Sequence, residues 1–238
     1  MRSTRENQQS MDGKQKKSNV FLNAGIYTFS NIILKALNFL LLPLYTAYLT
    51  STDYGITSII ASFTSVAGIL MMLCINNAVM RMYVDVSSSG QKRKRFISTL
   101  FTFALLSGVV GVLILTLARG FLTSLFFEGI PFFPIVFYAL ISLVAGNIYT
   151  LYLSYLRVQQ KAASVAILTI VYFFLHLGFN ILLIVVYKMG AEGYVLATML
   201  SNVIFALYIF IRLFLSGEYN SSIAVIRGLD YQNADEPI

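Results

Sequence analysis

Long apolar stretches alternate with short polar segments along the chain. About 20 residues of α-helix cross the hydrocarbon core of a bilayer, and six stretches approach or exceed that length: residues 22–48, 54–80, 96–118, 129–156, 162–187 and 193–211. Lys35 is the only formal charge within them when His176 is neutral. The pattern predicts an all-α, polytopic integral membrane protein. Its six-helix transmembrane bundle covers residues 21–215, between polar cytoplasmic tails at 1–20 and 216–238.

The connections between these stretches are short, so consecutive helices should run antiparallel. If successive loops lie on opposite sides of the membrane, 14 of the 17 Lys and Arg residues fall on one side, and only Arg119 and Lys188 on the other. Short loops rich in Lys and Arg stay in the cytoplasm, which predicts that both termini are cytoplasmic. The basic run at residues 91–95 is then a topology determinant, and no nucleic-acid partner is predicted.

The composition supports the same class of protein. Hydrophobic residues make up 58% and charged residues 11% of the chain, against about 45–50% and about 25% in soluble domains. The single cysteine, Cys74, lies within an apolar stretch, which excludes a disulfide or a cysteine metal site within one chain. The sequence also has no phosphate-binding glycine loop, no HExxH motif and no carboxylate inside a predicted span. We therefore predict no enzyme activity, no metal and no cofactor.

A polar stripe in the first span is the main candidate for a binding site. Lys35 lies about 20 Å along this helix, near the middle of the bilayer, where a lysine is costly. Thr28, Asn31, Lys35 and Asn38 are spaced to share one helical face. Such a face should line a water-filled cavity, where the cation suits an anionic group, although a lysine that snorkels or pairs structurally is the alternative.

Weaker polar positions occur in three other spans. Asn76 and Asn77, with Arg81 one turn later, end the second span, where they either bind a ligand or cap the helix. His176 and Asn180 share a face of the fifth span with Tyr172; the histidine either relays protons or is satisfied by a neighbour. Asn147 shares a face of the fourth span with Thr150 and Ser154. Five glycines are candidates for close helix contacts: Gly68, Gly108, Gly111, Gly146 and Gly178.

Four segments form a recognisable pattern: the junction PLYTAYLTSTDYGITS at 43–58, NNAVMRMYVD at 76–85, YLRVQQKAASVAILTI at 155–170 and GAEGYVLATMLSNVI at 190–204. These segments resemble the polysaccharide transporters, or Wzx-type oligosaccharide flippases, of the multidrug/oligosaccharidyl-lipid/polysaccharide exporter superfamily. Their order and spacing are similar to those of the family over residues 20–215.

The resemblance implies an inner-membrane carrier that moves a polyprenyl-diphosphate-linked oligosaccharide to the outer leaflet for the synthesis of surface polysaccharide. Membrane lipid and the lipid-linked oligosaccharide are then its partners. Lys35 becomes a cation of the substrate cavity and Arg81 a cation at its cytoplasmic mouth. A non-transporting or degenerate membrane subunit and a small-molecule, cation-coupled antiporter are the alternatives.

Members of this family have twelve or fourteen spans in two six-helix lobes, whereas six spans are predicted here. The resemblance therefore implies a truncated, split or dimerising half of a carrier, completed by a second six-span lobe or by a homodimer. Alternating access requires one lobe to move against another, so transport by an isolated single lobe is not expected.

Overall fold

The described part of the chain is helical, with no strand. The computed structural model describes positions 25, 28, 32, 35 and 39 and residues 41–72 and 90–215. The helices are α1 (41–48), α2 (Ser51–Met72), α3 (Gly90–Leu117), α4 (Arg119–Leu125), α5 (Phe137–Val158), α6 (Ala162–Asn180) and α7 (Gly190–Leu215). Two π-helical turns accompany them: Phe132–Val136 leads into α5, and Ile181–Val186 extends α6.

Five helical segments are long and apolar enough to cross a membrane: Ser51–Met72, Phe96–Leu117, Phe132–Val158, Ala162–Val186 and Gly190–Leu215. They correspond to the second to sixth predicted spans. The first predicted span is described only in part; its described positions from 25 to 39 and residues 41–48 are helical. Both predicted tails, 1–20 and 216–238, lie outside the described residues.

Helix α5 is the centre of the bundle, and it packs most extensively against α7. Its residues 151–156 are all buried, and all of them except Ser154 belong to a core that includes Phe101 of α3 and Ile209 of α7. A second core cluster at the other end of the bundle contains Phe127 and Leu140, each fully buried. With no water in the bilayer core, close packing of this kind is the main force that holds membrane helices together.

A single carboxylate joins the first turns of α2 and α7. Asp53 Oδ2 accepts hydrogen bonds from the backbone N of Thr50 at 2.9 Å and from its Oγ1 at 2.7 Å, while Thr50 Oγ1 accepts from the Asp53 backbone N at 3.2 Å. This reciprocal arrangement is a capping box. The other oxygen, Oδ1, accepts from the backbone N of Ala191 at 2.9 Å. Helices α2 and α7 therefore begin at the same end of the bundle, here termed the Asp53 end.

The connection after the third span contains α4, which the sequence did not reveal. Leu122 of this helix and the following Phe127 are buried, and the Phe127 ring meets that of Phe63 on α2 edge to face at 5.0 Å. The segment is too short and carries too few apolar positions to show a helical period on its own. Its fold depends on the surface that α2 provides.

Four of the five glycines expected at close contacts do lie against a neighbouring helix. A Cβ atom would lie 3.0 Å from Leu143 Cδ1 at Gly68, 2.6 Å from Val144 Cγ1 at Gly108, 2.5 Å from Met71 Cε at Gly111 and 3.1 Å from Asn202 Nδ2 at Gly146. For Gly178, no heavy atom of another described helix lies within 4 Å of that position. The expected close contact is therefore not found there.

This difference provides a matched pair of substitutions. We expect Gly108→Ala to be about 1–3 kcal/mol less stable than Gly178→Ala, because the new methyl group collides with Val144, whose β-branched side chain has little freedom to rotate away. Both changes carry the same gain in helix propensity, so their difference isolates packing. Thermal unfolding of the two purified variants in one detergent measures it. Equal transition temperatures would show that α3 and α5 are not in close contact at Gly108.

Candidate functional site

A cavity of about 750 Å³, lined by both apolar and polar side chains, lies between α2, α5, α6 and α7. Ligand sites commonly occupy about 300–1,000 Å³, so the cavity is large enough to hold a small organic molecule or a few sugar units. Its described lining carries hydroxyl groups, amides and tyrosine rings and no formal charge. The polar members are Thr57, Thr64, Ser65, Ser142, Asn147, Tyr149, Thr150, Tyr172, Tyr194, Thr198 and Asn202.

Five of the six aliphatic hydroxyl groups in the lining share one geometry. Each donates its proton to a carbonyl three or four residues earlier in its own helix: Thr57 to Tyr54 at 3.0 Å, Thr64 to Ile60 at 2.8 Å, Ser65 to Ala61 at 2.7 Å, Thr150 to Gly146 at 2.9 Å and Thr198 to Tyr194 at 2.9 Å. A hydroxyl group has one proton and two lone pairs. These five oxygens therefore offer the cavity acceptors, and a ligand must supply the donors.

One wall of the cavity is fixed by bonds between helices. Asn202 of α7 donates from Nδ2 to Ser142 Oγ at 2.9 Å and to the Ser142 carbonyl at 3.3 Å on α5. Its Oδ1 accepts a hydrogen bond from Tyr172 OH on α6 at 3.0 Å, and the Tyr172 ring stacks on Tyr149 with centroids 4.9 Å apart. Both bonding groups of the Asn202 amide are used, so this wall is held in one arrangement.

A second polar chain lies outside the cavity lining and links α1 to α6 and α7. Tyr45 OH donates to Asn180 Oδ1 at 3.1 Å, and Asn180 Nδ2 donates to the His176 carbonyl at 2.8 Å. The His176 ring shares a hydrogen bond with Ser201 Oγ at 3.2 Å between Nδ1 and the oxygen, and Ser201 donates to the Ala197 carbonyl at 2.8 Å. Asn180 is 0% exposed and His176 is buried. These groups tie helices together.

The residues predicted from the sequence are distributed over several places. Asn147 lines the cavity together with its predicted neighbour Thr150, whereas His176 and Asn180 do not. The alternative for His176, a hydrogen bond to a neighbour, matches the observed contact with Ser201. Lys35 and Thr28 are helical and exposed, and neither is among the described lining residues. The other candidates, Asn31, Asn38, Asn76, Asn77 and Arg81, lie outside the described residues.

Apart from Thr150, the hydroxyl lining was not predicted, although its residues are periodic in the sequence. Thr57, Ala61, Thr64 and Gly68 follow a spacing of four, three and four residues on α2. Such a spacing defines one face of a helix. On α7, the cavity residues Tyr194, Thr198 and Asn202 recur every four residues and define a second face. Both stripes are periodic in the sequence but contain no charged residue, so charge alone does not indicate them.

The bundle and its open, hydroxyl-rich cavity define a multi-pass, α-helical membrane protein with the form of a transporter. Residues 20–229 match the family described as "Polysaccharide biosynthesis protein", so the chain belongs to that family, which comprises the Wzx-type polysaccharide transporters and not enzymes. The resemblance found in the sequence is thereby confirmed. Comparisons with curated proteins and with solved structures give no match.

Proposed function

We propose that this protein moves a lipid-linked, polyprenyl-diphosphate oligosaccharide across the inner membrane, with the sugar held in the cavity between α2, α5, α6 and α7. The main support for the proposal is the set of five hydroxyl oxygens that can accept hydrogen bonds from a ligand in the cavity. A sugar presents many hydroxyl donors and, in most units, no charge, which complements oxygens whose own protons are already used. The family match supports the same class of cargo.

The diphosphate of the carrier lipid requires cations, and the described cavity lining has none. Lys35 on the first helix is the cation that we propose for it, with Asn31, Asn38 and Thr28 on the same predicted face and Arg81, Asn76 and Asn77 at the cytoplasmic mouth. A phosphate placed near a mid-membrane lysine offsets the cost of burying that charge. The sugar and the diphosphate then occupy separate subsites.

The open side of the cavity requires a cover. Ser65 and Thr150 line the cavity and are also exposed at the surface of the bundle. Lipid tails offer no hydrogen bonds, so a polar groove of this kind is stable only beside protein or water. A second six-span lobe or a second copy of the chain fits this role, and movement between the two halves gives alternating access. Both termini are placed in the cytoplasm in this arrangement.

Two serine residues on α2 provide the experiment that tests the proposal. Ser65 lines the cavity, whereas Ser62 lines an apolar groove between α2 and α3; each donates to the carbonyl four residues earlier, at 2.7 Å and 2.9 Å. We expect Ser65→Ala, combined with Thr150→Val, to reduce oligosaccharide transport about tenfold or more through the loss of two acceptors. Ser62→Ala is the matched control and should transport at the normal rate.

The measurement is the rate at which a fluorescent lipid-linked oligosaccharide moves between the two leaflets of proteoliposomes. These contain the protein assembled with its second lobe or copy. Equal rates for the cavity variant and the Ser62 variant would remove the sugar from this cavity. Such a result, with substrate-driven proton or sodium flux, would favour the antiporter alternative. An absence of transport in the assembled wild-type protein would favour the non-transporting subunit.

A further inference from the structure

A smaller pocket of about 220 Å³ lies at the end of the bundle opposite the Asp53 end. It is formed where the turn between α5 and α6 meets the last turns of α7. Gln159, Lys161, Ser164, Tyr208 and Arg212 line it, together with apolar side chains. The pocket is separate from the substrate cavity, and none of these residues lines both.

The pocket holds an excess of positive charge. Lys161 and Arg212 come from different elements, are both exposed, and converge on this one space. The acidic residues of the described ranges are Asp53, Glu128 and Glu192, and all of them lie toward the Asp53 end of the bundle. No carboxylate in the described chain is therefore placed to neutralise the two cations, which favours a bound anion.

The turn that presents the pocket is closed by backbone hydrogen bonds. Gln160 adopts a left-handed backbone conformation with φ 57°, and hydrogen bonds from the backbone N of Gln159 to Tyr155 O at 3.2 Å and of Lys161 to Leu156 O at 3.1 Å close the turn. Lys161 then begins α6 without a side-chain cap. The first N–H groups of a helix have no partner within it and carry partial positive charge, so they add to the field of the two cations.

Further features of the pocket lining favour a lipid over a free anion. Gln159 Oε1 is buried and has no hydrogen-bond partner in the described chain, so it needs a donor such as a hydroxyl group. Ile167 lines the same pocket and is 61% exposed, which provides an apolar exit for an acyl chain. Tyrosine side chains such as Tyr208 are also typical of the membrane–water interface.

We propose that this pocket binds the phosphate of an anionic membrane lipid whose head group bears a hydroxyl, of the phosphatidylglycerol class. Lys161 and Arg212 contact the phosphate, the head-group hydroxyl donates to Gln159, and an acyl chain lies along Ile167. Basic pockets between membrane helices are known to hold anionic head groups, with each Lys or Arg contributing about a fivefold gain in affinity. This assignment does not depend on the transported substrate.

The absence of tryptophan from the chain permits a site-specific test. Tyr208→Trp places the only tryptophan of the chain in the pocket, and lipids with brominated acyl chains quench its fluorescence on contact. The full chain is placed in phosphatidylcholine nanodiscs that contain increasing fractions of brominated phosphatidylglycerol or brominated phosphatidylcholine. We expect half-quenching at a several-fold lower fraction of the anionic lipid.

Three substitutions in the Tyr208→Trp background, together with one control substitution, locate the contacts. Lys161→Gln and Arg212→Gln should each reduce the preference for the anionic lipid about fivefold. Lys188→Gln is the matched control, because Lys188 is an exposed lysine that does not line the pocket and lies toward the Asp53 end; it should leave the preference unchanged. Gln159→Leu should reduce the preference for phosphatidylglycerol more than that for phosphatidic acid, which lacks the hydroxyl.

Equal quenching by the two brominated lipids, or equal effects of Lys161→Gln and Lys188→Gln, would overturn the proposal. If inorganic phosphate abolishes the preference at constant ionic strength, the ligand is soluble phosphate and the lipid assignment is wrong. Native mass spectrometry of the unsubstituted chain gives a second measurement that does not rely on the tryptophan variant. Retention of phosphatidylglycerol over phosphatidylcholine supports the site, and no selective retention contradicts it.

Discussion

Replacing Asp53 with alanine is expected to lower the free energy of unfolding by about 2–4 kcal/mol, the largest effect of any single substitution described here. The carboxylate caps α2 through Thr50 and also accepts the backbone N–H of Ala191 on α7. Loss of a helix cap costs about 0.5–2 kcal/mol, and loss of a hydrogen bond to a charged group costs about 1.5–3 kcal/mol. Thermal unfolding in detergent and chemical denaturation both measure the loss.

Thr50→Ala is the control that separates the two functions of the carboxylate. It removes the Thr50 hydroxyl from the cap of α2 but leaves the bond from Ala191 to Asp53 Oδ1 in place. We therefore expect Thr50→Ala to cost about 1 kcal/mol and Asp53→Asn to lie between the two alanine variants. If Asp53→Ala were no more destabilising than Thr50→Ala, the link between α2 and α7 would contribute nothing to stability.

Alanine substitution of two asparagines is expected to affect different properties: stability for Asn180 and ligand binding for Asn147. Asn180→Ala should lower the free energy of unfolding by about 2 kcal/mol, because it removes two hydrogen bonds from a fully buried position and leaves Tyr45 OH without its partner. Asn147→Ala should change stability by less than about 0.5 kcal/mol, because its side chain faces the cavity. Its effect should instead be a loss of oligosaccharide binding of about fivefold.

The two readouts are thermal unfolding and binding of the free oligosaccharide to purified protein. Tyr45→Phe combined with Asn180→Ala completes a double-mutant cycle, and the pair should be less destabilising than the sum of the single changes. Strictly additive effects would contradict the observed contact between Tyr45 and Asn180. A stability loss for Asn147→Ala that matches that of Asn180→Ala would show that Asn147 is a structural residue.

The helices were predictable because membrane insertion is encoded locally. A run of about 20 apolar residues is sufficient to specify a span, and five of the six predicted spans coincide with long apolar helices in the structure. The elements that escaped prediction depend on tertiary contacts. Helix α4 is stable because Leu122 and Phe127 are covered, and the double role of Asp53 requires α7 to arrive beside α2.

The cavity was less predictable, for a different physical reason. A charge inside a membrane span is energetically costly, so the sequence favours Lys35 as a functional residue. Serine and threonine are inexpensive in a helix because they bond to its own carbonyls, as Thr64 and Thr150 do. Their periodic placement was visible in the sequence, but only the packing of α2 against α5 and α7 shows that the stripes face one shared space.

The contact between Asp53 and Ala191 joins residues separated by 138 positions, and this separation has a consequence for biosynthesis. Translation delivers α2 to the membrane long before α7 exists. Because Thr50 and Asp53 already cap α2, the start of that helix can form before α7 is made. Oδ1 is left to accept from water until α7 is made, and the backbone N of Ala191 then donates to it and joins the two helices.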